Sequence, residues 1–70
     1  MERQFVESSM IRSIGYDSQA SVLEIEFNSG AIWNYLDFPE SLWYEFEGAE
    51  SKGQFFHREI KNKFSEQRIG

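Results

Sequence analysis

Seventy residues without a cysteine exclude a disulfide framework and a thiolate metal centre, and the single histidine, His57, cannot build a zinc tetrad with carboxylates at any common spacing. A chain this short buries only ~60% of the surface it exposes when unfolded, so its core must be dense; seven Phe, two Trp and three Tyr supply that density. Net charge is −5 but uneven: residues 1–50 set Arg3 and Arg12 against ten carboxylates, a net −8, whereas residues 51–70 set Lys52, Arg58, Lys61, Lys63 and Arg68 against Glu59 and Glu66, a net +3.

The opening Met1-Glu2-Arg3-Gln4-Phe5 has no basic stretch leading into an apolar run, so no secretory signal is read there. No segment approaches the ~20 apolar residues of a membrane helix. A cytoplasmic protein with no membrane, metal or cofactor partner is the expectation. No repeat, low-complexity tract or linker divides the chain, which reads as a single domain over residues 1–70.

The first strand signal runs from Met10 to Tyr16, where apolar residues of mixed parity suggest a bulge or bend near Gly15. Between Ser21 and Asn28, Leu23, Ile25 and Phe27 alternate with Glu24 and Glu26, the period-2 pattern of a sheet with one buried face. After Asn28-Ser29-Gly30 comes a third run, Ala31 to Leu36, rich in residues suited to a pleated surface. A two-residue turn at Ser29-Gly30 would put Ser29 at positive φ, costing about 1–2 kcal/mol. A three-residue loop with Gly30 left-handed avoids that cost; it pairs Phe27 with Ala31, Ile25 with Trp33 and Leu23 with Tyr35, and so turns Trp33 and Tyr35 to the buried face.

From Pro39 the period becomes helical. Proline suits the first helical position, Asp37 can help satisfy the free donors, and Leu42, Trp43 and Phe46 form one stripe as far as a left-handed terminator at Gly48, giving a helix over Pro39 to Glu47. Ser51-Lys52-Gly53-Gln54 fits a capping box opening a second helix. There Phe56, Ile60 and Phe64 recur every four residues, Arg58, Lys61 and Asn62 take the other face, and fraying is expected near Ser65. The expected fold is α+β: an antiparallel three-stranded β-meander followed by two α-helices packed on one face (βββαα). Leu42, Phe46, Phe56, Ile60 and Phe64 would pack against Leu23, Ile25, Phe27, Trp33 and Tyr35.

Catalytic patterns are weak. Glu24 and Glu26 share a strand face, but carboxylates alternating with a buried set are normally solvated. Ser8, Ser9, Ser13 and Ser51 have no neighbouring base at a telling spacing, Gly48 and Gly53 lack the spacing of a phosphate loop, and His57 sits at the border of a helix face. The chain therefore reads as a non-catalytic binding module. The suggestive arrangement is the outer surface of the second helix, where Lys52, Arg58, Lys61 and Arg68 are candidate phosphate contacts. Phe55, ~100° around the helix from Phe56, either stacks on an unpaired base beside Arg58 or packs sideways on the first helix near Trp43 or Tyr44. Small domains need their large apolar groups for the core, which favours the second. The −8 of residues 1–50 repels phosphate, so any nucleic-acid contact would be local and weak.

The order of residues resembles the KTSC domain, a family named for its occurrence at the carboxy terminus of some lysyl-tRNA synthetases and found also in short stand-alone bacterial proteins. The resemblance runs through Ser8-Ser9, Ile14-Gly15-Tyr16, Leu23 to Phe27, the turn at Gly30, the central Trp33-Asn34-Tyr35, Phe38-Pro39, Ala49 to Phe56, Ile60-Lys61 and Phe64. Trp33 replaces the tyrosine usual in the central motif, and His57 replaces a small polar residue. The resemblance implies an accessory module associated with structured RNA such as tRNA. The alternative drawn from the residues is a protein partner docked on an exposed aromatic patch that includes Trp43 or Tyr44.

Overall fold

The computed structural model describes residues 2–70. Five antiparallel strands in one sheet follow chain order: β1 (Arg3–Phe5), β2 (Ile11–Asp17), β3 (Val22–Phe27), β4 (Ile32–Tyr35) and, after the helices, β5 (Glu66–Arg68). The three-stranded meander of the sequence reading is thus corrected at both edges. Strands β1 and β5 are three residues long and mostly exposed, so they carry no hydrophobic alternation. They form because the outer main-chain groups of β2 and β4 need partners, and Arg3 to Phe5 and Glu66 to Arg68 supply them.

The central hairpin has the expected register. Leu23 pairs with Tyr35 and Ile25 with Trp33, the Phe27 N–H donates to the Ala31 carbonyl at 2.9 Å, and Gly30 sits at φ 97°. That register directs Leu23, Ile25 and Tyr35 into the core, with Phe27 and Trp33 partly buried beside them. From β2, Ile14 and Tyr16 join the same face opposite Ile25 and Leu23, and a register shift between Ile11 and Ser13 restores Ile11 to it opposite Phe27.

Helix α1 spans Glu40–Gly48, one residue later than expected at both ends. Pro39 is its N-cap with extended backbone, no side chain caps it, and Gly48 stays helical while the extended Ala49 ends the helix. The left-handed role expected of Gly48 is therefore not used. The second helical segment departs further from its α-period. It begins as α2 (Lys52–Phe55), capped by the Ser51 hydroxyl accepting from the Gln54 N–H, and widens into one π turn over Phe56–Ile60, closed by the Lys61 N–H donating to the Phe56 carbonyl at 2.8 Å. Asn62 at φ 63° then reverses the chain toward β5, so the segment ends well before Ser65.

Phe55, Phe56 and Ile60 from this segment are all buried in the core. Phe56 lies edge-on against Phe27 and Tyr35, with centroids at 5.4 and 5.8 Å, and Phe55 stacks on Phe46 at 5.2 Å. Phe38 and Phe64 close the far end at 4.8 Å, while Trp43 stacks on Tyr16 at 5.5 Å and holds α1 against β2. All helices thus cover one face of the sheet; the strand register leaves Glu24, Glu26 and Ser13 on the other.

Candidate nucleic-acid interface

The five sequence-predicted contact residues fall into different environments. Phe55 is 5% exposed and clasped between Phe46 and the Arg58 guanidinium, which lies 5.7 Å from its ring centroid. Sideways packing on α1 thus prevails, with Phe46 as the partner in place of Trp43 or Tyr44, and the ring presents no face to a base. Arg58 is exposed and pairs with the neighbouring Glu59 at 3.1 Å. A surface ion pair of this kind is worth at most about 1 kcal/mol.

Lys52 is half-buried and donates from Nζ to the Ala49 carbonyl at 2.5 Å, which binds the ammonium to the α1–α2 connection. Lys61 and Lys63 are exposed on the turn that follows the π segment. Arg68 stands on β5 directly opposite Trp33, its Nε donating to the Gly70 carbonyl at 2.8 Å. The basic residues therefore follow the chain from the helical layer to the edge of the sheet. No single helix face presents them all.

The uncovered face of the sheet is acidic and internally paired. Arg3 Nη1 meets Glu24 Oε2 at 2.8 Å, and the buried Ser13 hydroxyl donates to Glu26 at 2.9 Å. Both carboxylates are thereby engaged in holding strands together. Among the described residues, no group of three or more His, Asp or Glu side chains is placed to hold a metal ion, and no helix is long and apolar enough to cross a membrane.

Of the two residues expected in an exposed aromatic patch, Trp43 is half-buried and Tyr44 is exposed. Trp43 is committed to Tyr16, and the large exposed apolar residues Phe5, Tyr44 and Ile69 lie on β1, on α1 and beyond β5, respectively.

The sequence reading missed the meeting of Ser8-Ser9 with the Ser51–Gln54 cap. The loop before β2 and the start of α2 face each other so closely that a β-carbon on Gly53 would lie 3.6 Å from the Met10 sulfur and 3.7 Å from the Ser8 hydroxyl. Both segments appear among the resembling motifs, yet no spacing between them signals that they share a cleft.

Comparison with known proteins agrees with this architecture. Residues 7–64 match the model of the KTSC domain. The chain is 38% identical over 63 residues to a lysine–tRNA ligase of Trichormus variabilis, covering 90% of this chain and 11% of the ligase. It is also 38% identical over 61 residues to an uncharacterised protein of Stutzerimonas stutzeri, covering 87% of this chain and 86% of that one. A crystal structure of a KTSC domain protein from Yersinia pestis superposes with a TM-score of 0.96 at 46% identity, covering 99% of this chain and 97% of that one. The chain spans about a tenth of the length of the ligases it matches. A family match across most of the sequence, together with this structural likeness, places the chain in the KTSC domain family.

Proposed function

We propose that the domain is a non-catalytic accessory module that contacts structured RNA weakly, through phosphates, along its basic carboxy-terminal third. The observation carrying this reading is the occurrence of similar sequence within lysine–tRNA ligases, proteins named for a tRNA substrate. The charge distribution supports it: cations concentrate in residues 51–70 of an otherwise acidic chain. Arg58, Lys61, Lys63 and Arg68 are exposed and make the contacts, whereas Lys52 contributes mainly by fixing the α1–α2 connection and Phe55 by supporting Arg58.

Amide chemical shifts during titration with tRNA in low salt test the reading. Signals of Arg58, Lys61, Lys63 and Arg68 should move together, and three to four phosphate contacts should give log affinity a slope of about −2 to −3 against log salt. An unchanged spectrum at millimolar RNA ends the proposal.

A further inference from the structure

Two concavities of the surface share a wall at Ser9 and Met10. The first, about 450 Å³, is open and apolar, lined by Met10, Phe27, Ala31 and the half-buried indole of Trp33, with Asn28 and Ser29 at its rim. The second, about 380 Å³, lies between the loop before β2 and the start of α2. It is polar: Ser8, Ser51, Gln54 and His57 bring hydroxyl, amide and imidazole groups, and Glu7 and Glu50 bring carboxylates.

The shared wall is held firmly. The Asn28 side chain donates to the Ser8 carbonyl at 3.1 Å, and its N–H donates to the Met10 carbonyl at 2.9 Å. The Ser8 hydroxyl accepts from the N–H groups of Met10 and Ile11, both at 3.2 Å, and the Ser51 hydroxyl accepts from Gln54. Each hydroxyl keeps its proton to donate. A fixed apolar slot joined to a small set of convergent polar groups has the make-up of a small-molecule site.

Charge narrows the ligand class. Neither concavity is lined by a lysine or arginine, and the polar one carries two carboxylates, so it disfavours a phosphate. Carboxylates do accept hydrogen bonds from ribose hydroxyls, and indole and thioether walls suit a planar base. We propose that the double groove binds a nucleoside with free 2′ and 3′ hydroxyls, the base against Trp33 and the diol toward Glu7 and Glu50. In RNA this is the 3′-terminal residue. The inference deepens the RNA reading and rests on it for the source of the ligand, since a free nucleoside offers the same chemistry.

The experiment is an NMR titration of the whole chain with adenosine, with 2′,3′-dideoxyadenosine, and with two RNA hairpins that differ only in a 3′ hydroxyl or a 3′ phosphate. Adenosine should shift the Trp33 indole N–H and the amides of Ser9, Met10 and His57, with little dependence on salt. The dideoxy compound should bind at least roughly tenfold more weakly, having lost its hydrogen bonds to charged acceptors. The 3′-hydroxyl hairpin should move the same signals, and the 3′-phosphate hairpin should not.

Trp33→Ala should abolish the adenosine response. Because Trp33 also packs on the core, Glu50→Gln at an exposed position is the second variant, expected to weaken adenosine severalfold with an unchanged reference spectrum. Adenosine without effect at millimolar concentration, or equal binding of the dideoxy compound, overturns the nucleoside site even if RNA still shifts Arg58 and Lys61. Adenosine binding with no response to either hairpin supports the site with a free nucleoside as ligand, and it is the RNA reading that then fails.

Discussion

The phenol of Tyr35 on β4 stands directly opposite Glu66 on β5, and burial together with that carboxylate pushes its pKa well above the ordinary value of 10.0. Below that value both the folded and the unfolded chain hold the proton, and Tyr35 adds no pH dependence. Above it the unfolded chain ionises first, so the folded state loses stability as pH rises. Urea unfolding between about pH 8 and about pH 11 should show this decline, and Tyr35→Phe should flatten it. An identical slope in the variant would show that another group controls the alkaline limit.

Gly15 pairs with Arg3 across β1 and β2, and a β-carbon there would collide with the backbone carbonyl of Glu2. Gly15→Ala should therefore push β1 from the sheet edge and loosen the Arg3–Glu24 pair, at a cost of about 1–3 kcal/mol. Hydrogen exchange locates the effect: protection should fall at Gln4 and Phe5 and persist in β3 and β4. Full retention of protection in β1 would contradict the close approach.

Gly53 offers the opposite case. Its surroundings leave room for a methyl group at ordinary van der Waals distance from Met10 and Ser8, and it sits in the helical segment, where glycine is costly. Gly53→Ala should raise stability by about 0.5–1 kcal/mol while narrowing the polar cleft beside Ser8. Thermal unfolding measures the first effect and adenosine titration the second.

Phe46 is fully buried and is the surface on which Phe55 stacks. Phe46→Ala should cost about 3–5 kcal/mol, a large part of the stability of a domain this small. A midpoint shift in urea reports it directly. A loss below about 1 kcal/mol would mean that the helices repack without this ring.

The central hairpin was legible because two independent signals agreed: alternation from Leu23 to Phe27, and a glycine where only left-handed backbone closes the loop without strain. The edges were not. Glu66-Gln67-Arg68 is polar and fully exposed, and its strand state comes from the unpaired edge of β4, which is a tertiary cause. The π turn was hidden for a different reason: Phe56, Ile60 and Phe64 satisfy an α-period, and only the main-chain bond from the Lys61 N–H to the Phe56 carbonyl shows the wider turn. For the candidate site, composition identified the cations but not their partners. Lys52 is bound to Ala49, and Phe55 packs in the core as favoured, but on Phe46 in place of Trp43 or Tyr44.

The polar strand that follows the helices also bears on self-association. An open β4 would offer a neighbouring molecule a ladder of free main-chain donors and acceptors beside an indole, the starting point for fibrillar stacking. By laying down a three-residue strand of mixed charge, Glu66, Gln67 and Arg68, the chain covers that ladder with a brief hydrophilic rim, the kind of edge that discourages further strand pairing.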